Sequence, residues 1–281
     1  TRRSSDLKHK MKKERVDILA HQQGLFETRE QAKRGVMAGL VYLAKNSERL
    51  DKPGEKIPED SLLELKGAKL PYVSRGGLKL EKALQVFDLT MQDKILLDIG
   101  ASTGGFTDVA LQNGAKLSYA LDVGYNQLAW KLRQDPRVIV MERTNFRYSK
   151  PSDFQEGLPQ IATIDVSFIS LRLILPPLAE ILVENGDVMA LIKPQFEAGK
   201  EAVGKHGIVR DPKVHQAVLE KALAMAVTSG FSVVGLDYSP IKGGEGNIEF
   251  ITHLKKSKTP AIAPSINITE IVAAAHEQLK Q

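Results

Sequence analysis

Leu96-Leu97-Asp98-Ile99-Gly100-Ala101-Ser102-Thr103-Gly104-Gly105-Phe106 is the stretch that decides the fold. The apolar residues around a carboxylate predict a short buried strand, and the glycines that follow predict a sharp turn into a helix. In an open parallel sheet, ligands bind beyond the carboxyl ends of the strands. We therefore predict a cofactor-binding loop, with contacts from these residues: Asp98, Gly100, Ala101, Ser102, Gly104, Gly105 and Phe106.

Short apolar runs alternate with helical patterns after this loop, which predicts a parallel sheet covered by helices. Near the end, two apolar runs are joined by a glycine-rich loop, which predicts a hairpin and an antiparallel strand. We therefore predict a Rossmann-like α/β domain at 74–256 with an antiparallel last strand, and a tail at 257–281. The predicted strands are 95–98, 117–122, 138–141, 161–165, 188–192, 231–238 and 249–254, and the predicted helices are 105–113, 127–134, 171–182, 213–229 and 269–279.

The cofactor can be argued from the spacing of the loop. Gly100-x-x-x-Gly104 departs from the glycine fingerprint of dinucleotide-binding loops. A hairpin at the end of the sheet is typical of methyltransferases rather than of dehydrogenases. Asp122, about 20 residues further on, can accept the hydroxyls of an adenosine ribose, and Asp98 can help to hold a methionyl ammonium. The pattern favours S-adenosylmethionine over a nicotinamide cofactor, which leaves an oxidoreductase as the alternative.

Four charged residues stand near the ends of predicted elements. Asp165 and Lys193 each follow an apolar strand directly, at the edge where a ligand would bind. Glu249 begins the last predicted strand, and Lys79 lies in a helix before the first strand. Each of them alone could be an ordinary surface charge. Together they predict an active site made of Lys79, Asp165, Lys193 and Glu249.

A smaller α/β unit is predicted at 11–65, followed by a linker at 66–73. Thr28 precedes a helical pattern over 29–37, and Gln31 stands at the spacing of a capping box. Gly39 fits the end of this helix, and strands are predicted at 40–43 and 61–65. Six basic side chains in this unit could neutralise the phosphates of a nucleic acid, which predicts an RNA-binding surface. The alternative is that they form a solvated helix face. These residues are Lys12, Lys13, Arg15, Arg29, Lys33 and Arg34.

Five segments occur in the order found in one known family. They are Ser-Arg-Gly-Gly-Leu-Lys-Leu (74–80), Asp-Ile-Gly-Ala-Ser-Thr-Gly-Gly-Phe-Thr-Asp (98–108), Ile-Asp-Val-Ser-Phe-Ile-Ser (164–170), Ile-Lys-Pro-Gln-Phe-Glu (192–197) and Gly-Asn-Ile-Glu-Phe (246–250). The chain resembles the TlyA/haemolysin A family over nearly all of residues 11–255. Its second half is similar to the FtsJ-like ribose methyltransferases.

This resemblance implies roles for particular residues. It implies a catalytic tetrad at Lys79, Asp165, Lys193 and Glu249, and an RNA-binding fold like that of ribosomal protein S-four at 11–65. It implies methylation of a ribose 2′-hydroxyl in ribosomal RNA, typically of a cytidine, with S-adenosylmethionine as the donor. The implied partner is ribosomal RNA or a ribosomal subunit. Asn145 stands where an acidic adenine contact is often found.

A mechanism follows as a hypothesis. A ribose hydroxyl attacks well only as its proton is removed, and we expect Lys193 to be the base. The ammonium of Lys79 would favour the neutral amine, Asp165 would orient it, and Glu249 would position the ribose. No metal is required. Methylation of a base amine is the nearest alternative, although Asp165-Val166-Ser167-Phe168 lacks the prolines that such enzymes often carry.

The composition excludes several classes of protein and of functional site. The chain has no cysteine, which excludes disulfides, thiolate metal sites and a cysteine nucleophile. No apolar run approaches the roughly 18 residues of a membrane span, so we expect a cytoplasmic protein without a membrane partner. The formal charge is +5, but residues 1–10, interpreted as a cloning remnant, hold four basic residues and one acidic residue, which leaves +2.

Two further functions stay open as alternatives. One is a membrane-active haemolysin, and the other is an RNA-binding ribosome-assembly factor without catalysis.

The segment 197–211 is rich in glycine and in charged residues. Because it follows Lys193 closely, we predict that it is a lid that becomes ordered when substrate binds, with a disordered insertion as the alternative.

Overall fold

The computed structural model describes residues 12–66 and 70–279. The chain divides into two compact units between Arg75 and Gly76. This division lies just beyond the predicted linker at 66–73, of which residues 67–69 are outside the described part. The predicted cloning remnant at 1–10 also lies outside the described residues.

The described residues of the first unit form short strands and two helices. They are β1 (Lys13–Arg15), α1 (Val16–Gln22), α2 (Arg29–Met37), β2 (Val41–Leu43), β3 (Lys56–Pro58) and β4 (Leu63–Leu65). β1 pairs with β3 and β2 with β4, both antiparallel. The hydroxyl of Thr28 accepts a hydrogen bond from the backbone nitrogen of Gln31, so the predicted cap of α2 is present. β1 and β3 were not predicted, because their sequences, Lys-Glu-Arg and Lys-Ile-Pro, lack the apolar runs that marked β2 and β4.

The second unit contains a sheet covered by helices. Its strands are β5 (Ile95–Ile99), β6 (Leu117–Leu121), β7 (Val138–Met141), β8 (Ile161–Ile164), β9 (Asp187–Ile192), β10 (Phe231–Tyr238) and β11 (Phe250–Lys256). Its helices are α3 (Gly77–Val86), α4 (Gly105–Gln112), α5 (Trp130–Arg133), α6 (Leu175–Ile181), α7 (Pro194–Glu197), α8 (Pro212–Thr228) and α9 (Ile268–Gln278).

The strands of the second unit are arranged in the order β10-β11-β9-β8-β5-β6-β7. β5 to β9 pair in parallel, whereas β11 is antiparallel to both β9 and β10. The predicted fold class, a Rossmann-like α/β sheet with an antiparallel last strand, is confirmed. The carboxyl ends of β5, β6, β8 and β9 therefore share one edge, and the start of β11 reaches the same edge.

Three predicted elements differ from the structure. The helix predicted at 171–182 is a 3₁₀ turn, Leu171–Leu173, followed by α6. The helix predicted at 127–134 is shortened to α5, because Ala129 has a non-helical backbone (ψ 139°) and stands as the cap residue before Trp130. Glu249 does not begin the last strand but immediately precedes β11.

A large apolar core lies between the sheet and its helices. Phe231 and Phe250 are among its largest fully buried side chains, and α8 contributes Leu219 and Leu223. Burial of such side chains is the main force that fixes the sheet against its helices. Within the described residues, no helix is both long enough and apolar enough to cross a membrane.

Candidate active site

The glycine loop after β5 is shaped by close backbone contacts. Gly100 has a φ of +83°, and a Cβ added there would lie 2.0 Å from the backbone oxygen of Asp165. Gly104 has a φ of +100° and packs against the side chains of Leu128 and Leu132. Both positions require glycine, because a side chain would be strained and would collide with its neighbours. The loop can thus turn tightly beside the end of β8.

Asp98 lies beneath this loop and is fully buried. One carboxylate oxygen accepts hydrogen bonds from the backbone nitrogen (3.2 Å) and hydroxyl (2.8 Å) of Thr107, and the other accepts from the hydroxyl of Thr163 (3.1 Å). Burial raises the pKa of Asp98 to about 7, and these hydrogen bonds only partly oppose it. Asp98 therefore ties the start of α4 to β8.

Asp122 follows β6 and holds the glycine loop from the other side. One of its oxygens accepts a hydrogen bond of 2.7 Å from the backbone nitrogen of Ser102, and the other accepts one of 2.8 Å from Gly124. Ser102 itself has a φ of +50°. The carboxylate thus stabilises an unfavourable backbone conformation, a task that its position in the sequence did not reveal.

A cavity of about 380 Å³ opens at this edge of the sheet. Among the predicted cofactor contacts, Gly100, Ser102, Asp122 and Asn145 line it, together with Asp165. The other predicted contacts do not line it, and they form or support the loop behind: Asp98, Ala101, Gly104, Gly105 and Phe106. The Asn145 side-chain oxygen accepts a hydrogen bond from the backbone nitrogen of Arg147 and so begins the 3₁₀ turn Phe146–Tyr148. Cavities of this size commonly bind small molecules.

The four predicted charged residues come together as two ion pairs. The Nζ atom of Lys193 lies 2.5 Å from Oδ1 of Asp165, and the Nζ atom of Lys79 lies 2.9 Å from Oε1 of Glu249. The pairing of the strands explains why these side chains lie close together. Ile192 faces Phe250 across β9 and β11, so Glu249 arrives beside Lys193. Lys193 and Asp165 follow neighbouring parallel strands.

Electrostatic interactions connect the Lys193–Asp165 pair with the Lys79–Glu249 pair. Burial disfavours the charged form of the Asp165 carboxyl, but the positive charges of Lys79 and Lys193 outweigh that effect and hold its pKa below the ordinary value. Asp165 therefore stays anionic at neutral pH and interacts with both ammonium groups. Within the described residues, no group of three or more His, Asp or Glu side chains is arranged to hold a metal ion.

The structure adds a residue to which the sequence assigned no role. The side-chain nitrogen of Gln195 donates a hydrogen bond of 2.8 Å to the second carboxylate oxygen of Glu249. Gln195 belongs to the segment Ile-Lys-Pro-Gln-Phe-Glu, so it was visible as part of a motif. Its partner could not be identified from the sequence, because the two residues are 54 positions apart.

The basic residues of the first unit occupy different environments. Lys12, Lys13, Arg29 and Lys33 are exposed, and the last two lie one turn apart on α2. Arg15 forms two hydrogen bonds with the buried carboxylate of Asp17, so part of its guanidinium stabilises the unit itself. Arg34 is half-buried, and its Nε has no hydrogen-bond partner among the described residues.

Comparisons with known proteins identify the family of this chain. The family model of the FtsJ-like methyltransferases matches residues 72–256. The protein of Bacillus subtilis named "Putative rRNA methyltransferase YqxC" is 62% identical over 96% of each chain. The 16S/23S rRNA (cytidine-2′-O)-methyltransferase TlyA of Mycobacterium tuberculosis is 38% identical over 89% of this chain and 92% of its own.

A solved structure described as a "Putative hemolysin from Streptococcus thermophilus" is 66% identical, with a TM-score of 0.78 over 96% of this chain and 98% of that one. The predicted resemblance is therefore confirmed. The chain belongs to the FtsJ-like methyltransferase family, in the TlyA/hemolysin A group.

Proposed function

We propose that this protein transfers a methyl group from S-adenosylmethionine to a ribose 2′-hydroxyl of ribosomal RNA, with a cytidine as the target nucleoside. The observation that carries the proposal is the ion pair between Lys193 and Asp165, which lies at the ligand-binding edge beside a cavity that Asp165 lines. The names of TlyA and YqxC point to ribosomal RNA as substrate, and that of TlyA points to the cytidine 2′-oxygen.

The cavity suits S-adenosylmethionine in size and in the polarity of its wall. Gly100 exposes backbone where any side chain would strain the loop, and Asp122 and Asn145 offer oxygen and amide groups to an adenosine. When bound there, the cofactor would supply a methyl group already activated by its sulfonium. In this proposal Asp98 acts from beneath the loop, because it is fully buried and does not line the cavity.

The chain's own residues would prepare the nucleophile. Lys193, after releasing its own proton to solvent, accepts the proton of the ribose hydroxyl as the oxygen attacks. Asp165 orients the Lys193 amine through the 2.5 Å contact between Oδ1 and Nζ. Asp165 also interacts with the charge of Lys79, and Glu249 holds Lys79 in place.

The first unit would bring the RNA to this site. Arg29 and Lys33 project from one face of α2 and would bind phosphates, while the catalytic unit reaches a single nucleotide. In the predicted lid segment 197–211, the residues between Glu197 and Gly207 would close over the bound nucleotide. Both ends of the segment are fixed, because Glu197 bonds to Ser170 and Leu171 and the buried side chain of Asn247 bonds to Val209 and Gly207. Such a substrate would support a cytoplasmic location, because ribosomal subunits are assembled in the cytoplasm.

The test is a methylation assay with tritiated S-adenosylmethionine and separated, undermodified ribosomal subunits. We expect label in RNA with the wild type and with Lys116→Ala, an exposed lysine at the opposite end of the sheet, and none with Lys193→Ala. Alkaline hydrolysis identifies the position, because a 2′-O-methylated linkage survives as a dinucleotide. Calorimetry checks that each variant still binds the cofactor.

Two outcomes would contradict the proposal. Label that alkaline hydrolysis releases as a single nucleotide would indicate methylation of a base. Absence of label from both subunits, with cofactor binding intact, would exclude these RNAs as substrates and favour an RNA-binding assembly factor. Full activity of Lys193→Ala would leave the reaction standing but would remove Lys193 as the base.

A further inference from the structure

The short helix α7 begins directly after Lys193, which is its N-terminal cap residue. Its side chains contact Glu249 and the segment that follows Asp165. Lys193 itself contacts Asp165. Gln195 contacts Glu249, and Glu197 contacts the segment that follows Asp165. One turn of helix therefore forms hydrogen bonds with two neighbouring parts of the candidate site.

The contact of Gln195 fixes the orientation of Glu249. Glu249 is 1% exposed, and its two carboxylate oxygens accept from different residues. Oε1 accepts from Lys79 at 2.9 Å, and Oε2 accepts from the Gln195 amide at 2.8 Å. Because a carboxylate can only accept, Gln195 must present its nitrogen to Glu249, and the amide cannot reverse. The position of α7 thus determines where Glu249 holds Lys79.

The contacts of Glu197 fix the segment after Asp165. One Glu197 oxygen accepts from the hydroxyl of Ser170 at 2.8 Å, and the other accepts from the backbone nitrogen of Leu171 at 2.9 Å. Burial raises the pKa of Glu197, and these two hydrogen bonds partly oppose the effect. The rings of Phe168 and Phe196 add an apolar contact between the same two segments, with centroids 4.8 Å apart.

We propose that Gln195 and Glu197 are positioning residues that set the geometry between Lys193, Asp165 and Glu249. Neither needs to touch the substrate. Glu197 acts on the Lys193–Asp165 pair, because it ties the residues five and six positions after Asp165 to the helix that Lys193 begins. This matters for catalysis because an error of about 1 Å in the placement of reacting groups can cost about 100-fold in rate. The inference rests on the proposed function for its kinetic consequences, but the geometry itself can be tested separately.

Glu197→Gln is the main variant. Glutamine keeps the size of the side chain and one acceptor oxygen, but its amide nitrogen cannot accept from Ser170 or Leu171. We expect kcat to fall at least tenfold, while KM for S-adenosylmethionine and for RNA stays within twofold. Glu220→Gln, the same change on the exposed face of α8, should leave both constants unchanged. Gln195→Leu, which removes the donor to Glu249, should likewise lower kcat and is the second variant if Glu197→Gln does not fold.

A readout without substrate completes the test. In protein labelled with ¹³C at the lysine Cε atoms, the Lys193 resonance, assigned with Lys193→Arg, reports its contact with Asp165. We expect this resonance to move in Glu197→Gln and to stay in place in Glu220→Gln. An unmoved resonance together with wild-type kcat would overturn the inference. A moved resonance in a protein that methylates no RNA would support the positioning role and count against the proposed function alone.

Discussion

Lys79 and Glu249 lie 170 residues apart in the chain and form an ion pair of 2.9 Å. Their side chains are 8% and 1% exposed. A buried ion pair contributes little net stability, because both charges lose their hydration, but the loss of one partner leaves the other charge poorly solvated. The pair is therefore better explained by the arrangement of the active site than by a need for stability.

The first prediction concerns this pair. Glu249→Ala should lower the free energy of unfolding by roughly 3–5 kcal/mol, because the Lys79 ammonium loses its buried carboxylate. The double variant Lys79→Met with Glu249→Leu should lose much less, since neither charge remains. Urea unfolding followed by the fluorescence of Trp130, the single tryptophan, reports on the second unit. A double variant as unstable as the sum of its single variants would contradict this account.

The second prediction concerns the pH dependence caused by Asp98. Its pKa in the folded protein, about 7, lies above the ordinary value of 3.8, so the folded state binds the proton more tightly than the unfolded state. This contribution to stability is fully present below about pH 4 and is lost as the pH rises through about 7, by up to about 4 kcal/mol. Asp98→Asn mimics the protonated form. Its stability relative to wild type should therefore increase from pH 5 to pH 8, and parallel curves of unfolding free energy against pH would refute the prediction.

The third prediction concerns Gly100. Gly100→Ala places a Cβ 2.0 Å from the backbone oxygen of Asp165 at a φ of +83°. We expect a loss of more than about 2 kcal/mol in stability and of measurable S-adenosylmethionine binding, because the loop must move away from β8. Gly244→Ala is the matched control, since no atom lies within 4 Å of its added Cβ. Thermal melting and calorimetry measure the two effects. Equal cofactor affinity in both variants would show that the loop tolerates a side chain.

The sequence predicted those parts of the structure that depend on local patterns. The strands of the second unit lie within one or two residues of their predicted bounds, because each is a short apolar run next to a turn signal. The helix over 171–182 failed because Pro176 and Pro177 lack the N–H groups that a continuous helix needs. They fit only in the first turn of α6, where those groups would have no partner within the helix.

The candidate site was predictable as a set of residues but not as a set of contacts. Asp165 and Lys193 were found because both directly follow parallel strands, and such positions share an edge. The choice of Glu249 as the partner of Lys79, and the bonds of Gln195 and Glu197, depend on strand order and on the path of α7. Neither is encoded in a short window of sequence, so the structure was needed to find them.

The last prediction concerns the basic face of α2. Arg29 and Lys33 are exposed and lie one turn apart, so each can reach a phosphate. Replacement of both with alanine should weaken binding to undermodified ribosomal subunits and reduce the slope of log affinity against log salt concentration by about two, since each phosphate contact contributes about one. The control is Lys45→Ala, an exposed lysine of the same unit outside α2. Fluorescence anisotropy at several salt concentrations measures the slopes. If the double variant and the control share the wild-type slope, α2 presents a solvated face, and the RNA must be held by other residues.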